Sequence, residues 1–480
     1  MIGTLPALTE RFACVDAGAF LGYFVFKAKC TKVFIERVSV MRNALVKVVA
    51  VVAEKGEAGW PCVDWPYEKE LNRIMSVVRE MNADMTFDVV SYSTPEQAKA
   101  DYEADLKKYD GVLVLEMTCW KYVEQFYMEQ AAEGLPTIVA DVLFYGSGST
   151  LAVASQLIRN QKLPVPLIST ADYREIGQAV RCFDAIRRMK EARILVVGNK
   201  DYRVEEEGQE RFEKLWGCTF INCKGAELNQ YFAQASDEEA QTIAQQWMDE
   251  ADNVYEPTRE EIVRSAKLHI AIRNMMEAHD CNAVTLDCLN LSYENQYMDN
   301  KHMYPCLSHY EMLRKGTVAV CEADAYSTVS SLLIQFMTGR PGFVSDPAID
   351  TSSDQITYAH CVACTKVFGI HDARTCRYNI RSHAEDRRGA SVQVIFPAGE
   401  KLTTIQSFPD KTASIHSSVS VGNCSLEEGC RSKLVASANA EKLLEQWSPS
   451  WHHVTVFGDY RKVFGYLFKM KGIQILEEDK

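Results

Sequence analysis

No apolar run in this sequence is long enough to cross a lipid bilayer, which takes roughly 20 residues. The apolar stretch at residues 18–26 is closed by Lys27 and Lys29. A secretory signal carries its positive charge before the apolar stretch, and here the order is reversed. We therefore expect a cytoplasmic protein with no membrane span and no export signal. Because the first convincing buried strand follows Met41, residues 1–40 are expected to be an extension that is not native, with Met41 as a candidate start.

The sequence also lacks dense cysteine spacing and clusters of basic residues. Its 16 cysteines are scattered over 480 residues, unlike those of small disulfide-stapled secreted domains. The close pair Cys361-Val-Ala-Cys364 has no second pair to make a zinc ribbon, so we interpret it as part of a strand. The net charge of -13 disfavours a nucleic-acid partner, because such proteins cluster Lys and Arg. A small-molecule substrate is the remaining expectation.

What the sequence does contain is a regular alternation of strands and helices. A chain of 480 residues exceeds one ordinary hydrophobic core, so two or three domains are expected. Candidate strands lie at residues 46–52, 86–92, 111–116, 137–144 and 165–168. Candidate helices between them lie at residues 68–82, 95–109 and 123–133. This order predicts a parallel sheet with helices on both faces.

A second unit of the same kind follows, and then the pattern changes. Strands at 192–198, 220–223, 283–289 and 317–321 and helices at 260–279 and 327–337 predict a second α/β domain. After residue 350, short alternating runs at 356–361, 391–396, 402–407 and 414–421 predict antiparallel strands in a sandwich or barrel. A strand, a helix and a last strand are expected at 454–457, 460–470 and 473–476. The predicted domains are residues 41–170, 171–350 and 351–480.

Two carboxylates follow predicted strands in the second α/β unit. In Cys321-Glu322-Ala-Asp324, Glu322 directly follows a buried strand, where open α/β sheets place their ligands. Asp324 precedes a predicted helix, where capping is the ordinary role of an aspartate. Asp346 ends a second apolar stretch, with an Asp-Pro turn as the alternative interpretation. Glu322 and Asp346 together predict a hard-ligand site for manganese or magnesium.

Histidines in the C-terminal region complete this candidate site. His452 and His453 begin a strand, so their side chains point to opposite faces and only one can face the carboxylates. We assign His453 as the metal ligand and His452 to substrate binding. One imidazole and two carboxylates leave metal positions open for substrate oxygens. His360 is a further candidate substrate contact, with simple packing in a strand as the alternative.

These motifs together resemble the L-fucose isomerase and L-arabinose isomerase superfamily, more closely its L-fucose isomerase side. The resemblance runs from about residue 41 to the end. It rests on Thr118-Cys119-Trp120, Tyr304-Pro-Cys306-Leu-Ser, Cys321-Glu322-Ala-Asp324, Phe343-Val-Ser-Asp346, Ala359-His360-Cys361 and the His452-His453 strand. The chain is shorter than typical L-fucose isomerases, and the resemblance does not name its sugar.

The resemblance implies two Rossmann-like, doubly wound α/β domains followed by a mainly antiparallel β-barrel domain. It implies a metal held by Glu322, Asp346 and a C-terminal histidine. It also implies homo-oligomers, trimers or hexamers, whose sites are shared between subunits. Trp120 then reaches the site of a neighbouring subunit, with a core position as the alternative.

The predicted activity is a metal-dependent aldose–ketose isomerisation of an open-chain monosaccharide through an enediolate. Glu322 and Asp346 act as metal ligands and as the acid/base pair that moves a proton between C1 and C2. Manganese is the expected ion, with magnesium or cobalt as alternatives, and Trp120 forms an apolar wall for the sugar. Two other functions remain open: a non-catalytic sugar-binding protein, and a sugar epimerase that uses the same enediolate chemistry.

Overall fold

The computed structural model describes residues 42–132, 134–198, 206–293 and 303–480. Within them, Ala44–Lys480 form one compact unit. The predicted extension over residues 1–40 lies outside the described residues. Among the helices that the structure describes, none has both the length and the apolar character needed to cross a membrane.

The strands alternate with helices along most of the chain. The strands are β1 (Leu45–Val51), β2 (Thr86–Tyr92), β3 (Gly111–Glu116), β4 (Thr137–Asp141), β5 (Leu167–Ser169), β6 (Arg193–Val197), β7 (Thr219–Cys223), β8 (Asn253–Val254), β9 (Ala283–Leu286), β10 (Val318–Cys321), β11 (Phe343–Asp350), β12 (Gln355–His360), β13 (Arg377–Arg381), β14 (Ser391–Ile395), β15 (Lys401–Ser407), β16 (Thr412–Asn423), β17 (Ser432–Ser437), β18 (His453–Phe457) and β19 (Gln474–Glu477). The helices are α1 (Tyr67–Met81), α2 (Pro95–Lys108), α3 (Val123–Gln130), α4 (Ser147–Ser149), a π-helical turn (Thr150–Ala154), α5 (Ser155–Gln161), α6 (Tyr173–Lys190), α7 (Glu206–Trp216), α8 (Gly225–Gln234), α9 (Asp237–Glu250), α10 (Arg259–Ala278), α11 (Cys288–Tyr293), α12 (Cys306–Arg314), α13 (Ala325–Thr338), α14 (Ala440–Gln446) and α15 (Arg461–Met470).

The first sheet is parallel, with strand order β2–β1–β3–β4–β5. Apolar side chains fill both of its faces: Val48 and Leu113 belong to one buried cluster, and Val49 and Val114 belong to another. Strands covered on both faces read as continuous apolar runs, and that is why the sequence predicted them. The α/β character of this region is confirmed.

The second sheet is also parallel, with order β10–β9–β6–β7. Local signals define its helices. Thr258 and Glu261 form a capping box at the start of α10, in which each side chain satisfies a backbone N–H of the other residue. Asp324 caps α13, and Gly339 ends it in the left-handed conformation, which glycine adopts without steric cost. Glu322 directly follows β10, as predicted.

The third sheet is mostly antiparallel, with order β15–β18–β11–β12–β17–β16–β19. Only β19 joins it in parallel, along β16, and β15 pairs with β16 as well as with β18. The sheet begins at Phe343, before residue 350. Asp346 therefore lies inside an antiparallel strand, where Pro347 faces Tyr358. The expectation that Asp346 initiates a turn or ends a strand of the parallel sheet is wrong.

A small three-stranded sheet joins distant parts of the chain. Its order is β14–β13–β8, and Asn253 and Val254 pair with Asn379 and Ile380. One apolar cluster also contains buried side chains from all three larger sheets, including Val48, Ile194 and Ile415. The domain boundaries at residues 170 and 350 remain predictions.

Candidate metal centre

Three chain segments meet where the second parallel sheet adjoins the antiparallel sheet. Glu322 follows β10, His360 ends β12, and His452 immediately precedes β18. One potential ligand atom from each lies within 4.8 Å of the other two. Both histidines are buried, and Glu322 is partly exposed. One carboxylate and two imidazoles are a suitable ligand set for a divalent first-row transition metal.

The backbone at Glu322 adopts an uncommon conformation. Its φ is 66°, and that of Ala323 is 50°, both in the left-handed region that residues with a side chain rarely occupy. Each such residue costs on the order of 1–3 kcal/mol, so the surrounding structure must hold it in place. Here β10 ends just before the pair, and Asp324 starts α13 just after it. Strain of this kind concentrates at functional sites, which supports a functional role for Glu322.

His452 lies beside an aspartate at each of its two ring nitrogens. Its Nδ1 lies 2.8 Å from Asp324 Oδ2. Its Nε2 is in ion-pair contact with Asp346 Oδ1 at 3.0 Å, although this buried atom makes no hydrogen bond in the described part of the chain. A metal-binding histidine is typically fixed through one nitrogen by a carboxylate while the other binds the ion. His452 fits that pattern, with Asp324 as its positioning residue.

The charges around His452 favour a cation at this point. Burial opposes a charge on the imidazole, but Asp324 and Asp346 together raise the pKa of His452 to about 10. Burial likewise opposes the charge on Asp346, yet His452 and His360 lower the pKa of Asp346 to about 2. The pKa of Asp324 is also lowered, since the bond to His452 outweighs burial. The two aspartates are therefore ionised at neutral pH and suit a proton on His452 or a metal ion beside it.

Asp346 lies beside the three clustered residues. Its Oδ1 accepts a hydrogen bond from Trp451 Nε1, and its Oδ2 lies 3.7 Å from Cys430 Sγ. Trp451 is 67% exposed and was not identified from the sequence, although it directly precedes the two histidines. Asp346 thus lies between His452 of the cluster and the exposed Trp451.

The two adjacent histidines point to opposite faces, as predicted, but His452 and not His453 lies in the cluster with Glu322. His453 is fully buried, with Nε2 2.9 Å from Glu478 Oε1 and 3.0 Å from Ser448 Oγ. His452 and His360, which the sequence assigned to substrate binding, join Glu322 in the cluster. The reason is register: His453 pairs with Ser345 across the ladder between β18 and β11, which turns His452 to the face with Asp324 and Asp346.

Trp120 lies in the first α/β unit, in the loop that follows β3. It is 52% exposed, so the alternative of a core residue does not hold. Its backbone N–H donates to Ser149 Oγ at 2.7 Å, and its φ is 66°. Tyr122 and Phe144, in the segments that follow β3 and β4, are exposed as well. Exposed aromatic side chains are therefore a feature of these strand ends.

No known protein-family model matches this chain, and a search of the curated proteins finds no significant match either. The resemblance to L-fucose isomerases therefore stays a prediction from motifs. A functional assignment rests instead on the geometry around Glu322, His360 and His452.

The variant Asp324→Asn tests whether Asp324 positions His452. Asparagine caps a helix about as well as aspartate, so thermal unfolding of the variant should stay near that of the unmodified protein. Loss of the carboxylate behind a ligating histidine should weaken binding of Mn²⁺ by about 10–100-fold, measured by titration calorimetry. Asp172→Asn is the matched control, because Asp172 caps α6 by accepting from Arg174 N. Equal Mn²⁺ affinity in both variants would remove Asp324 from the site.

Proposed function

We propose that this chain is a divalent-metal-dependent sugar ketol isomerase that acts on an open-chain monosaccharide. The observation that carries the proposal is the convergence of Glu322, His360 and His452, with the buried Nε2 of His452 making no hydrogen bond among the described residues and lying 3.0 Å from the Asp346 carboxylate. The proposed ligands are these three residues, with Asp346 next to them. Manganese is the proposed ion, with magnesium or cobalt as alternatives. When bound, it would act as a Lewis acid toward the substrate oxygens and so acidify the neighbouring C–H bond.

Asp346 is the proposed base that carries the proton between C1 and C2. Its pKa is about 2 because the contact with His452 outweighs burial, and a carboxylate with so low a pKa is a weak base. A histidine must be neutral to serve as a ligand, and neutral His452 no longer lowers the pKa of Asp346. A divalent ion bound in place of the proton on His452 would itself keep Asp346 ionised, so the carboxylate would remain available to accept a proton from the substrate carbon.

Glu322 is the second carboxylate at the site and the proposed partner of Asp346 in proton transfer. The two reach the site from different elements, since Glu322 follows β10 and Asp346 lies in β11. Carboxylates on either side of a bound sugar allow one to take the proton while the other returns it. Trp451, exposed beside Asp346, offers an apolar surface to the carbon chain.

Several broader features belong to the same proposal. A homotrimer or homohexamer with shared sites would cover Trp120, which a single chain leaves half exposed, and would place it against the sugar of a neighbouring subunit. The pairing of β15 with both β16 and β18 supports a closed barrel in the C-terminal sheet. Free thiols such as Cys119 and Cys361 suit a reducing compartment, in agreement with a cytoplasmic location.

Metal removal tests the proposed activity. We expect the protein loaded with Mn²⁺ to interconvert at least one aldose–ketose pair from a panel of pentoses, hexoses and deoxy sugars. Activity should fall to background after complete removal of metal by EDTA and return with added Mn²⁺. Product identification by NMR separates isomerisation from epimerisation at C2. Undiminished turnover by protein shown to be metal-free would contradict the mechanism, and sugar binding without turnover under any metal would favour a binding protein.

A further inference from the structure

A second group of potential metal ligands lies at the opposite edge of the second parallel sheet. Cys223 is the last residue of β7, Glu227 lies in the first turn of α8, and His279 is the C-cap of α10. The Cys223 sulfur, a Glu227 oxygen and a His279 nitrogen lie within 4.8 Å of one another. Because β7 and β10 are the two edge strands of this sheet, three strand spacings, roughly 14 Å, separate this cluster from the end of β10 beside Glu322.

The distances within the cluster are close to those of a zinc site. His279 Nε2 lies 3.7 Å from Cys223 Sγ and 2.6 Å from Glu227 Oε1. Zinc bonds of ~2.3 Å to sulfur and ~2.1 Å to nitrogen, meeting at a tetrahedral angle, place those two atoms about 3.6 Å apart. The corresponding spacing between nitrogen and oxygen is about 3.3 Å, so the Glu227 carboxylate has to withdraw by well under 1 Å. A rotation of one side chain achieves that.

The segment that carries His279 is fixed by its neighbours. Arg193 Nη2 donates to the carbonyl of His279 at 3.2 Å, and Arg193 Nε donates to the carbonyl of Asp280 at 2.8 Å. The side chain of Asn282 accepts from the backbone N–H of Arg193 at 2.9 Å. His279 also stands at the C-terminal end of a 20-residue helix, where the helix dipole favours a cation. The backbone that carries the imidazole is therefore held in place before any ion arrives.

We propose that Cys223, Glu227 and His279 form a zinc site that is separate from the Glu322 cluster. A thiolate, an imidazole and a carboxylate are the ligands that zinc takes in proteins, whereas magnesium and manganese favour oxygen ligands without sulfur. The side chains of His279 and Glu227 are 28% and 36% exposed, which leaves a path for the ion. The fourth position falls to a water molecule.

Burial, and then the charge of Glu227, raise the pKa of the Cys223 thiol to about 11 in the absence of a metal. Zinc binding therefore releases a proton from Cys223, and the affinity increases with pH. The ordinary interpretation of the cluster is a His279–Glu227 ion pair next to a protonated thiol. The two interpretations differ in whether the cluster binds added Zn²⁺ tightly.

The test uses the full-length chain with Glu322→Gln, which weakens the first site, after removal of metals by a chelator. Competition with a chromophoric zinc indicator should show one tightly bound Zn²⁺ per chain. The further substitution Cys223→Ser should lower the Zn²⁺ affinity of that site by at least about 100-fold. This loss is larger than the one expected when a residue that only positions a metal ligand is removed. Cys424→Ser is the control, because Cys424 is another half-buried free thiol, and it should leave zinc affinity unchanged.

Cobalt provides an independent readout. Co²⁺ in place of Zn²⁺ should give a sulfur-to-metal charge-transfer band in the near ultraviolet, and Cys223→Ser should abolish that band while Cys424→Ser retains it. If Cys223→Ser alters unfolding in EDTA, Glu227→Gln and His279→Gln replace it. Unchanged zinc affinity in all three ligand variants, or zinc binding no tighter than that of surface groups, would overturn the proposal. None of these outcomes depends on isomerase activity.

Discussion

Replacing Glu322 with glutamine should lower kcat for sugar isomerisation by about 10²-fold or more. Glutamine has the same shape, so the left-handed backbone at Glu322 and Ala323 should persist and the protein should fold normally. The amide, however, is a neutral, weak metal ligand, and it cannot accept a proton at neutral pH. His360 and His452 alone are left to hold the ion. Steady-state kinetics at several Mn²⁺ concentrations, with metal content measured in parallel, give the result.

The dependence on Mn²⁺ separates the two roles of Glu322. If it is only a ligand, saturating Mn²⁺ should restore kcat; if it also transfers a proton, kcat should stay low with the metal fully bound. Glu277→Gln is the matched control, since Glu277 is an exposed glutamate in the last turn of α10, and its kinetics should not change. Near-normal kcat in Glu322→Gln at low Mn²⁺ would contradict both roles.

The largest loss of stability is expected from Glu478→Ala. The carboxylate of Glu478 is fully buried between His416 Nδ1 at 2.7 Å and His453 Nε2 at 2.9 Å. It also accepts from the backbone N–H of Ser448 at 2.9 Å. Removing it takes an acceptor from three buried donors: His453 Nε2 keeps Ser448 Oγ, whereas His416 Nδ1 and the Ser448 N–H are left without one, each at a cost of about 1–3 kcal/mol. We expect the free energy of unfolding to fall by at least ~3 kcal/mol, measured by urea denaturation at pH 7.

Glu477→Ala is the matched control for this variant. Glu477 is the last residue of β19 and directly precedes Glu478. It forms ion pairs with Arg461 and Lys480, but its side chain is 42% exposed. Exposed ion pairs contribute about 1 kcal/mol or less. A similar loss in both variants would show that the effect belongs to β19 as a strand and not to the buried carboxylate.

The same carboxylate predicts a dependence on pH. Burial opposes its ionisation, but hydrogen bonds from His416 and His453 hold the pKa of Glu478 well below its usual range. A carboxyl whose pKa is lower in the folded state contributes stability above the unfolded pKa of ~4.3 and loses that contribution as the pH falls toward the folded pKa. The difference in unfolding free energy between the unmodified protein and Glu478→Ala should therefore shrink below about pH 4. A constant difference would mean that Glu478 is not ionised in the folded protein.

The elements of the fold could largely be predicted from local sequence. β3 has the predicted bounds, because a strand buried on both faces is a continuous apolar run that ends where polar residues begin. β2 has them as well, although it is an edge strand and only partly buried. β11 was missed as part of the antiparallel sheet. Its Asp346-Pro347 pair has the local character of a turn, and only the long-range pairing with Ala359 and Tyr358 keeps it extended.

The candidate site could be predicted in its residue types but not in its arrangement. Strand alternation placed His452 and His453 on opposite faces, but which of them meets Glu322 depends on pairing with β11, a contact across more than a hundred residues. Asp324 was expected to cap a helix, and it does. Its second contact, with His452 Nδ1, has no local signal. Single residues carry both local and distant roles here, and sequence patterns show only the first.

The pairing of β8 with β13 has a consequence for synthesis of the chain on the ribosome. Asn253 and Val254 have their ladder partners at Asn379 and Ile380, and Glu256 bonds to Arg381 at 2.6 Å. A nascent chain that has emerged as far as β10 already contains every strand of both parallel sheets. Because domains fold from the N-terminus as they emerge, these sheets can form at that stage. The nascent chain still lacks the partner of β8, and it lacks His360 and His452. A metal at the proposed Glu322–His360–His452 site would therefore be acquired only after translation is nearly complete, and it could not guide the folding of the first half of the protein.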